Sequence, residues 1–255
     1  IETFSIGFEE DDFDESKFAR SVASHLGTSH NEYIFKANQA IDLVPSIAEI
    51  YDEPFADSSQ LPTLLVSKFA KSKVKVALTG DGGDELFGGY NRHLFAYTYW
   101  PIINLIQKTV RLRAGKYIKK LGDKDLGKIT NYFAKRFFSN PREKFNKLGS
   151  ALSAESDEEL YASLISCWQD TNQLLLNESV FDLAKTINFN KSMSFATNMM
   201  IQDFKGYLPG DILVKVDRAA MHYSLETRAP FLSHKLVEFS KKLPIQQKIF
   251  PKYTI

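Results

Sequence analysis

Three carboxylates fall within one short glycine-rich stretch, Leu78-Thr79-Gly80-Asp81-Gly82-Gly83-Asp84-Glu85-Leu86-Phe87-Gly88-Gly89-Tyr90. The residue types predict a strand ending at Leu78, a turn, and a helix beginning near Asp84. Ligands of open α/β sheets bind beyond the carboxyl ends of strands, which is where such a turn lies. Gly80, Gly82 and Gly83 let the backbone come close to a ligand, and N–H groups at a helix start attract anions. Three carboxylates would nevertheless repel a bare phosphate. A magnesium ion removes the conflict, because it takes oxygen ligands, keeps several waters and bridges one or two carboxylates to substrate phosphates. On this reading Asp84 holds the metal, Asp81 faces the reacting group, and Glu85 orients the substrate or the turn.

Other readings of the same turn compete. A solvated bend with acidic helix caps would use the same residue types. An EF-hand is excluded, because the acidic residues do not alternate and no Glu closes the loop. A phosphatase of the haloacid dehalogenase type also places Gly-Asp-Gly and a further Asp after a strand. It needs an earlier nucleophilic Asp at a strand end, and Asp12-Phe13-Asp14 lies past the first strand and lacks the usual following Gly.

The elements around the turn set its position. Residues 1–8 alternate as a strand, and Ser16 to Leu26 reads as a helix with Phe18, Ala19, Val22 and Leu26 inward, closed by Gly27. Asn31 to Phe35 predicts a second strand, and Ile41 to Tyr51 a helix with Ile41, Val44, Ile47 and Ala48 inward. Leu61 to Ser72 is helical with Pro62 in its first turn, and Val74 to Leu78 is the clearest strand. This order predicts a parallel sheet covered by helices. From Leu94 to Lys242 the periodicity is helical with almost no strand signal, and Lys108 to Lys147 reads as short basic helices and loops. The expected organisation is one incomplete domain over 1–255, with an α/β portion at 1–93 and a helical portion at 94–255.

Bulk properties narrow the partners. The chain has 255 residues, 44% hydrophobic and 25% charged, with a net charge of +1. That balance fits a globular protein and gives no electrostatic pull toward nucleic acid or membranes. No apolar run approaches the roughly 18 residues that span a bilayer, and the N-terminus has no secretory pattern. The single cysteine, Cys167, excludes a disulfide framework and reads as a buried thiol in a reducing cytoplasm. The opening Ile1-Glu2-Thr3-Phe4, a strand already under way without an initiator Met, is expected of a fragment.

Five segments in order resemble the synthetase domain of the glutamine-dependent asparagine synthetase family. They are Ser5 to Phe8, Asp52 to Asp57, Thr79 to Tyr90, Asp211 to Met221, and Ser224 to Leu232, with a weak middle at roughly 94–190. The resemblance implies an adenine nucleotide alpha-hydrolase-like fold of the ATP pyrophosphatase type. It implies attack of a carboxylate, aspartate or another acid such as a sugar acid, on the α-phosphorus of ATP. The acyl-adenylate formed with release of pyrophosphate then meets ammonia and gives an amide and AMP. ATP and Mg2+ are the implied cofactors, an upstream glutaminase domain the implied ammonia source, and a homodimer an allowed assembly. Residue by residue, Ser5, Ile6 and Gly7 match the strand lining the adenine pocket, and Gly80 and Gly82 belong to the nucleotide turn. Asp81 matches the acidic residue near the adenylate, Asp84 the metal and pyrophosphate residue, and Glu85 its companion.

Asp57, Lys215, Asp217 and Arg218 match substrate-side positions, although alternating charges there can equally make an internal ion-pair network with Glu226 and Arg228. Ala220 and Ser233 stand where the family often has Ser and Asp. The family's Ser-Gly-Gly-x-Asp-Ser-Ser loop and its Lys-containing loop are not in this sequence, so the chain by itself is expected not to turn over. A scaffold that has lost its site is a third reading, opposed by the retained Asp81, Asp84 and Glu85. His93 and His222 read as ordinary core or surface histidines.

Overall fold

The computed structural model describes residues 1–8, 16–123, 148–166 and 183–250. Cys167 and Asp12-Phe13-Asp14 lie outside the described residues. In chain order the elements are β1 (Glu2–Phe8), α1 (Ser16–Leu26), β2 (Ser29–Phe35), α2 (Ala37–Leu43), α3 (Ile47–Tyr51), α4 (Gln60–Lys71), β3 (Val76–Leu78) and α5 (Gly83–Phe87). There follow α6 (Asn91–Thr98), α7 (Trp100–Ile103), α8 (Lys108–Asp123), α9 (Asp157–Ile165), α10 (Leu183–Thr186) and α11 (Phe195–Gln202). A π-helical stretch (Asp203–Ile212), α12 (Leu213–His222), β4 (Glu226–Arg228) and α13 (His234–Lys242) come last among the longer elements.

These elements form two compact units, one of Ile1–Leu86 with Asp203–Lys242 and one of Phe87–Gln202 with Leu243–Ile255. Residues 203–242, grouped by periodicity with the helical portion, thus pack with the α/β elements. The first unit holds two parallel two-stranded sheets. In one, β1 pairs with β2 so that Ser5 faces Glu32, Ile6 faces Tyr33 and Gly7 faces Ile34. In the other, β3 pairs with β4 from Val76↔Glu226 to Leu78↔Arg228. The parallel pairing expected from the strand–helix–strand order is present, in two separate two-stranded sheets rather than one, with helices dominant around them.

Side chains from both sheets share one apolar cluster. Phe4 of β1 and Ala77 of β3 pack with Ala70, Ala220 and Leu225, and Phe4 meets Phe69 of α4 edge-on. A second cluster, Ile50, Tyr51, Leu64 and Ala219 with Phe55 and Tyr223, ties α3, α4 and α12 together. Burial of the larger of these side chains, such as Leu64 and Ile50, contributes roughly 1.5–3 kcal/mol each.

Several local expectations need correction. Strand β4 is a strand inside the stretch read as helical. Its Glu226-Thr227-Arg228 carries no apolar alternation and is held by pairing with β3 instead. In α1 the stripe Phe18, Val22 and Leu26 points outward, with Phe18 55% exposed, while Ser16 and Ala23 are buried. The small side chains of Ala19 and Ala23 let the helix lie close on β1 and β2.

The helix expected over 41–51 is broken by a 3-10 turn, Val44–Ser46, at Pro45. Proline removes a backbone donor, and the break resets the helical phase. Ile50 and Tyr51 are therefore buried, whereas Ile41 and Val44 are exposed and Ala48 is too.

The second unit is helical. Its core joins Ala96, Trp100, Leu160, Tyr161, Phe195, Met199 and Ile249. Of the stretch 108–147 read as short helices and loops, residues 108–123 form one 16-residue helix, and 124–147 lie outside the described residues. Gly115 does not break it; a Cβ there would stand 2.5 Å from Ser153 Oγ and 2.7 Å from Ser153 N, so the glycine permits close packing. His93 is fully buried in this unit, and its ring meets Tyr90 edge-on.

Candidate functional site

The turn after β3 is built by backbone constraints that its glycines satisfy. Thr79 N donates to Arg228 O at 2.9 Å, which extends the β3–β4 ladder by one bond past Leu78. Gly83 N then donates to Gly80 O at 3.1 Å and closes the turn. Gly82 has φ +88°, and a Cβ on it would come 2.3 Å from Leu232 Cδ2. Only glycine takes both that conformation and that approach without strain. Gly80, in contrast, is exposed, with nothing within 4 Å of a would-be Cβ.

The turn separates its carboxylates. Asp84 projects into solvent from the first turn of α5, Asp81 is half-buried, and Glu85 is only 3% exposed. Asp81 and Thr79 line a cavity of about 730 Å³ whose walls include Thr3, Phe4, Ala77 and Leu78. Leu78, the last residue of β3, is 74% exposed. A volume of this size is in the range of small-ligand sites. The described residues contain no group of three or more His, Cys, Asp or Glu able to hold a metal. A magnesium ion held by one exposed carboxylate, waters and phosphates would need no such group, and the hard oxygens of Asp84 fit it.

On β1, Gly7 is buried and Ser5 and Ile6 half-buried. The Ser5 hydroxyl lies 3.2 Å from His30 Nε2, and the Thr3 hydroxyl lies 3.0 Å from His30 Nδ1. The imidazole thus bridges the two hydroxyls. His30 carried no sequence signal. It is positioned by the β1–β2 register, which sets it opposite Thr3.

The structure brings Asp57 and Lys215 together. Lys215, 8% exposed, puts its Nζ 2.6 Å from Asp57 Oδ2 and 2.7 Å from Ser59 Oγ. Asp57 Oδ1 accepts from Ser59 N at 2.8 Å and from Ser59 Oγ at 2.7 Å. Burial opposes ionisation of Asp57, but the hydrogen bonds from Lys215 and Ser59 outweigh it, and its carboxyl is held below the usual range. Tyr51, whose hydroxyl donates to Lys215 O at 3.3 Å, is pushed up to about 12 by burial first and then by the Asp57 charge.

Asp211, four residues before Lys215, is pushed up to about 6 by burial first and then by Asp57. Its Oδ1 is buried, with no hydrogen-bond partner among the described residues. Ser59 and Asp211 were not foreseen, although the four-residue spacing of Asp211 from Lys215 is readable in the sequence.

The remaining candidates lie apart from this cluster. Arg218 pairs with Asp52, the left-handed residue that caps α3. Asp217 is exposed. Arg228 pairs with Glu226 at 2.7 Å within β4. His222 is exposed, with its ring edge-on to Tyr223. Among the described residues no helix is long and apolar enough to cross a membrane.

Comparison with known proteins gives these features a family. The family model described as asparagine synthase matches residues 1–254. A putative glutamine-hydrolysing asparagine synthetase of Methanocaldococcus jannaschii is 34% identical over 222 residues, covering 87% of this chain and 40% of that protein. The glutamine-hydrolysing asparagine synthetase 1 of Bacillus subtilis is 30% identical over 253 residues, 97% of this chain and 37% of its own length. A putative glutamine-hydrolysing asparagine synthetase of Mycobacterium bovis is 30% identical over 252 residues, 97% of this chain and 36% of that protein. The chain therefore spans two fifths or less of the length of these relatives. With a match from residue 1 to residue 254, the chain belongs to the asparagine synthase family.

Proposed function

We propose that the protein acts in an ATP-dependent, amide-forming ligase that activates a carboxylic acid, taken to be aspartate, and transfers the acyl group to ammonia. In the first step a carboxylate oxygen forms a bond to the α-phosphorus of ATP, and the bond from that phosphorus to pyrophosphate breaks. In the second, ammonia nitrogen bonds to the acyl carbon, the carbon–oxygen bond to AMP breaks, and nitrogen loses a proton. The observation that carries this reading is the placement of Asp81 and Asp84 directly past the carboxyl end of a parallel strand, with Asp81 lining a cavity.

Each residue has a task in the proposal. The backbone of Ser5, Ile6 and Gly7 meets the adenine, and the open face of Gly80 admits the phosphates. Asp84 holds magnesium, which when bound would neutralise charge on the departing pyrophosphate. Asp81 faces the adenylate, and buried Glu85 holds the turn in shape. Lys215, anchored by Asp57 and Ser59, presents a cation toward the acid substrate. A nucleotide-binding sheet of the ATP pyrophosphatase type, ammonia drawn from glutamine and a reducing cytoplasmic setting belong to the same proposal.

The test is pyrophosphate release by the full-length gene product, measured with ATP, Mg2+ and a panel of carboxylic acids including aspartate and sugar acids. Release that depends on aspartate and yields asparagine when ammonia is supplied supports the proposal. Release with a sugar acid alone would reassign the acceptor. Hydrolysis of phosphomonoesters without any pyrophosphate release would refute the ligase reading.

A further inference from the structure

The cluster around Lys215 contains more negative charge than its one ammonium group can balance. Asp57 accepts from Lys215 and from both donors of Ser59, which leaves it room for about one donor more. Asp211 stands at the end of the π-helical stretch, one turn before Lys215, with the Asp57 carboxylate facing it. Among the described residues no donor reaches its buried Oδ1. A buried carboxylate oxygen without a donor is unfavourable, and two facing carboxylates do not both ionise freely. A carboxyl in that position can supply the missing donor itself, by keeping its proton and pointing it at its neighbour.

We propose that Asp211 is a positioning residue, which fixes Lys215 on Asp57 by carrying a proton between the two carboxyl groups and loosens that hold when the proton leaves. With the proton present, Asp57, Lys215 and Asp211 are together neutral, and the ammonium points at Asp57 and Ser59. Without it, two carboxylates compete for one ammonium. The other groups around the cluster do not alter this balance. Tyr51 of α3 stays neutral until far higher pH, and Ser59 and Gln60, at the start of α4, carry no charge. The directions agree with a polarised pair, since Asp57 lies below and Asp211 above the ordinary carboxyl range. That Lys215 then meets the substrate carboxylate rests on the proposed function; the proton itself does not.

The test compares wild type with Asp211→Asn, whose amide keeps a donor and cannot ionise, by urea unfolding of the 255-residue chain at pH 5 and pH 8. The expected result is a folding constant for Asp211→Asn that gains severalfold on wild type between these pH values. With a folded value of about 6, the window from pH 5 to pH 8 has a ceiling of about tenfold, which partial exposure lowers. A difference that is the same at both pH values overturns the proposal.

A carboxyl-detected NMR titration of wild type decides the matter if the variant does not fold. It must show one aspartate titrating between pH 5 and 7, and its absence is equally fatal. In the full-length gene product, KM for the acid should rise above pH 6 in wild type and stay flat in Asp211→Asn. Loss of that kinetic arm alone, with the stability and NMR results intact, counts against the substrate reading rather than against the shared proton.

Discussion

The ammonium of Lys215 lies 2.6 Å from Asp57 Oδ2, joining α12 to the segment before α4 across 158 residues of sequence. Both side chains are largely buried, at 10% and 16% exposure, so each depends on the other for its charge. Removing one partner should cost about 3–5 kcal/mol, the range for a buried charge left uncompensated. Lys215→Met and Asp57→Asn should each show this loss in urea unfolding. The double variant should lose clearly less than the sum of the two. Additive losses would mean that the pair is not coupled.

The same pair predicts a pH dependence with a definite sign. The Asp57 carboxyl is lowered in the fold, so the stability it contributes is present above its ordinary 3.8 and is lost as pH falls through its lower folded value. Tyr51 is raised to about 12, so its contribution holds below pH 10 and disappears as pH climbs through 12. Melting temperatures of Asp57→Asn and wild type should differ most near pH 5, where Asp57 is ionised and Asp211 still holds its proton, and converge as pH falls below 4. A gap that stays constant down to pH 3 would contradict the assignment.

Two glycines of the turn should respond oppositely to alanine. Gly82→Ala forces an L-residue to φ +88° and drives a methyl within 2.3 Å of Leu232 Cδ2. A loss of roughly 1–3 kcal/mol is expected. Gly80→Ala meets open space and should change stability by no more than about 0.5 kcal/mol. If Gly80 admits phosphates as proposed, the same substitution should raise the KM for ATP in the full-length gene product without lowering the melting temperature. Equal thermal losses in both variants would remove the distinction between a structural and a ligand-facing glycine.

How much of this was readable in the sequence follows from the range of the forces involved. The turn from Thr79 to Tyr90 was legible because its glycines, its carboxylates and the preceding strand are contiguous, and local geometry decides them. The break at Pro45 was equally local, yet the apolar spacing across it suggested one uninterrupted helix. Strand β4 was not legible, since Glu226, Thr227 and Arg228 become a strand only by pairing with residues 150 positions earlier. Nor was the outward stripe of α1, because the choice between its apolar and its alanine face belongs to the sheet beneath. Asp57 and Lys215 were singled out separately by resemblance, and only the folded chain turns them into a pair. Asp211 shows the limit most clearly, for its carboxyl is raised first by burial and then by a carboxylate 154 residues away.

Asp84 and Glu85 are adjacent in sequence but opposite in environment, the first exposed and the second 3% exposed. Truncation should therefore separate chemistry from folding. Asp84→Ala removes no buried contact and should leave the melting temperature within about 2 °C of wild type, as for most surface substitutions. As the proposed magnesium ligand, its loss should abolish pyrophosphate release by the full-length gene product at ordinary Mg2+ concentrations. Glu85→Ala empties a buried position and should lower the melting temperature first, with activity falling in step with the folded fraction. Wild-type rates from Asp84→Ala would withdraw the metal assignment, because a solvated carboxylate with neither packing nor metal to serve has no other means of governing the reaction.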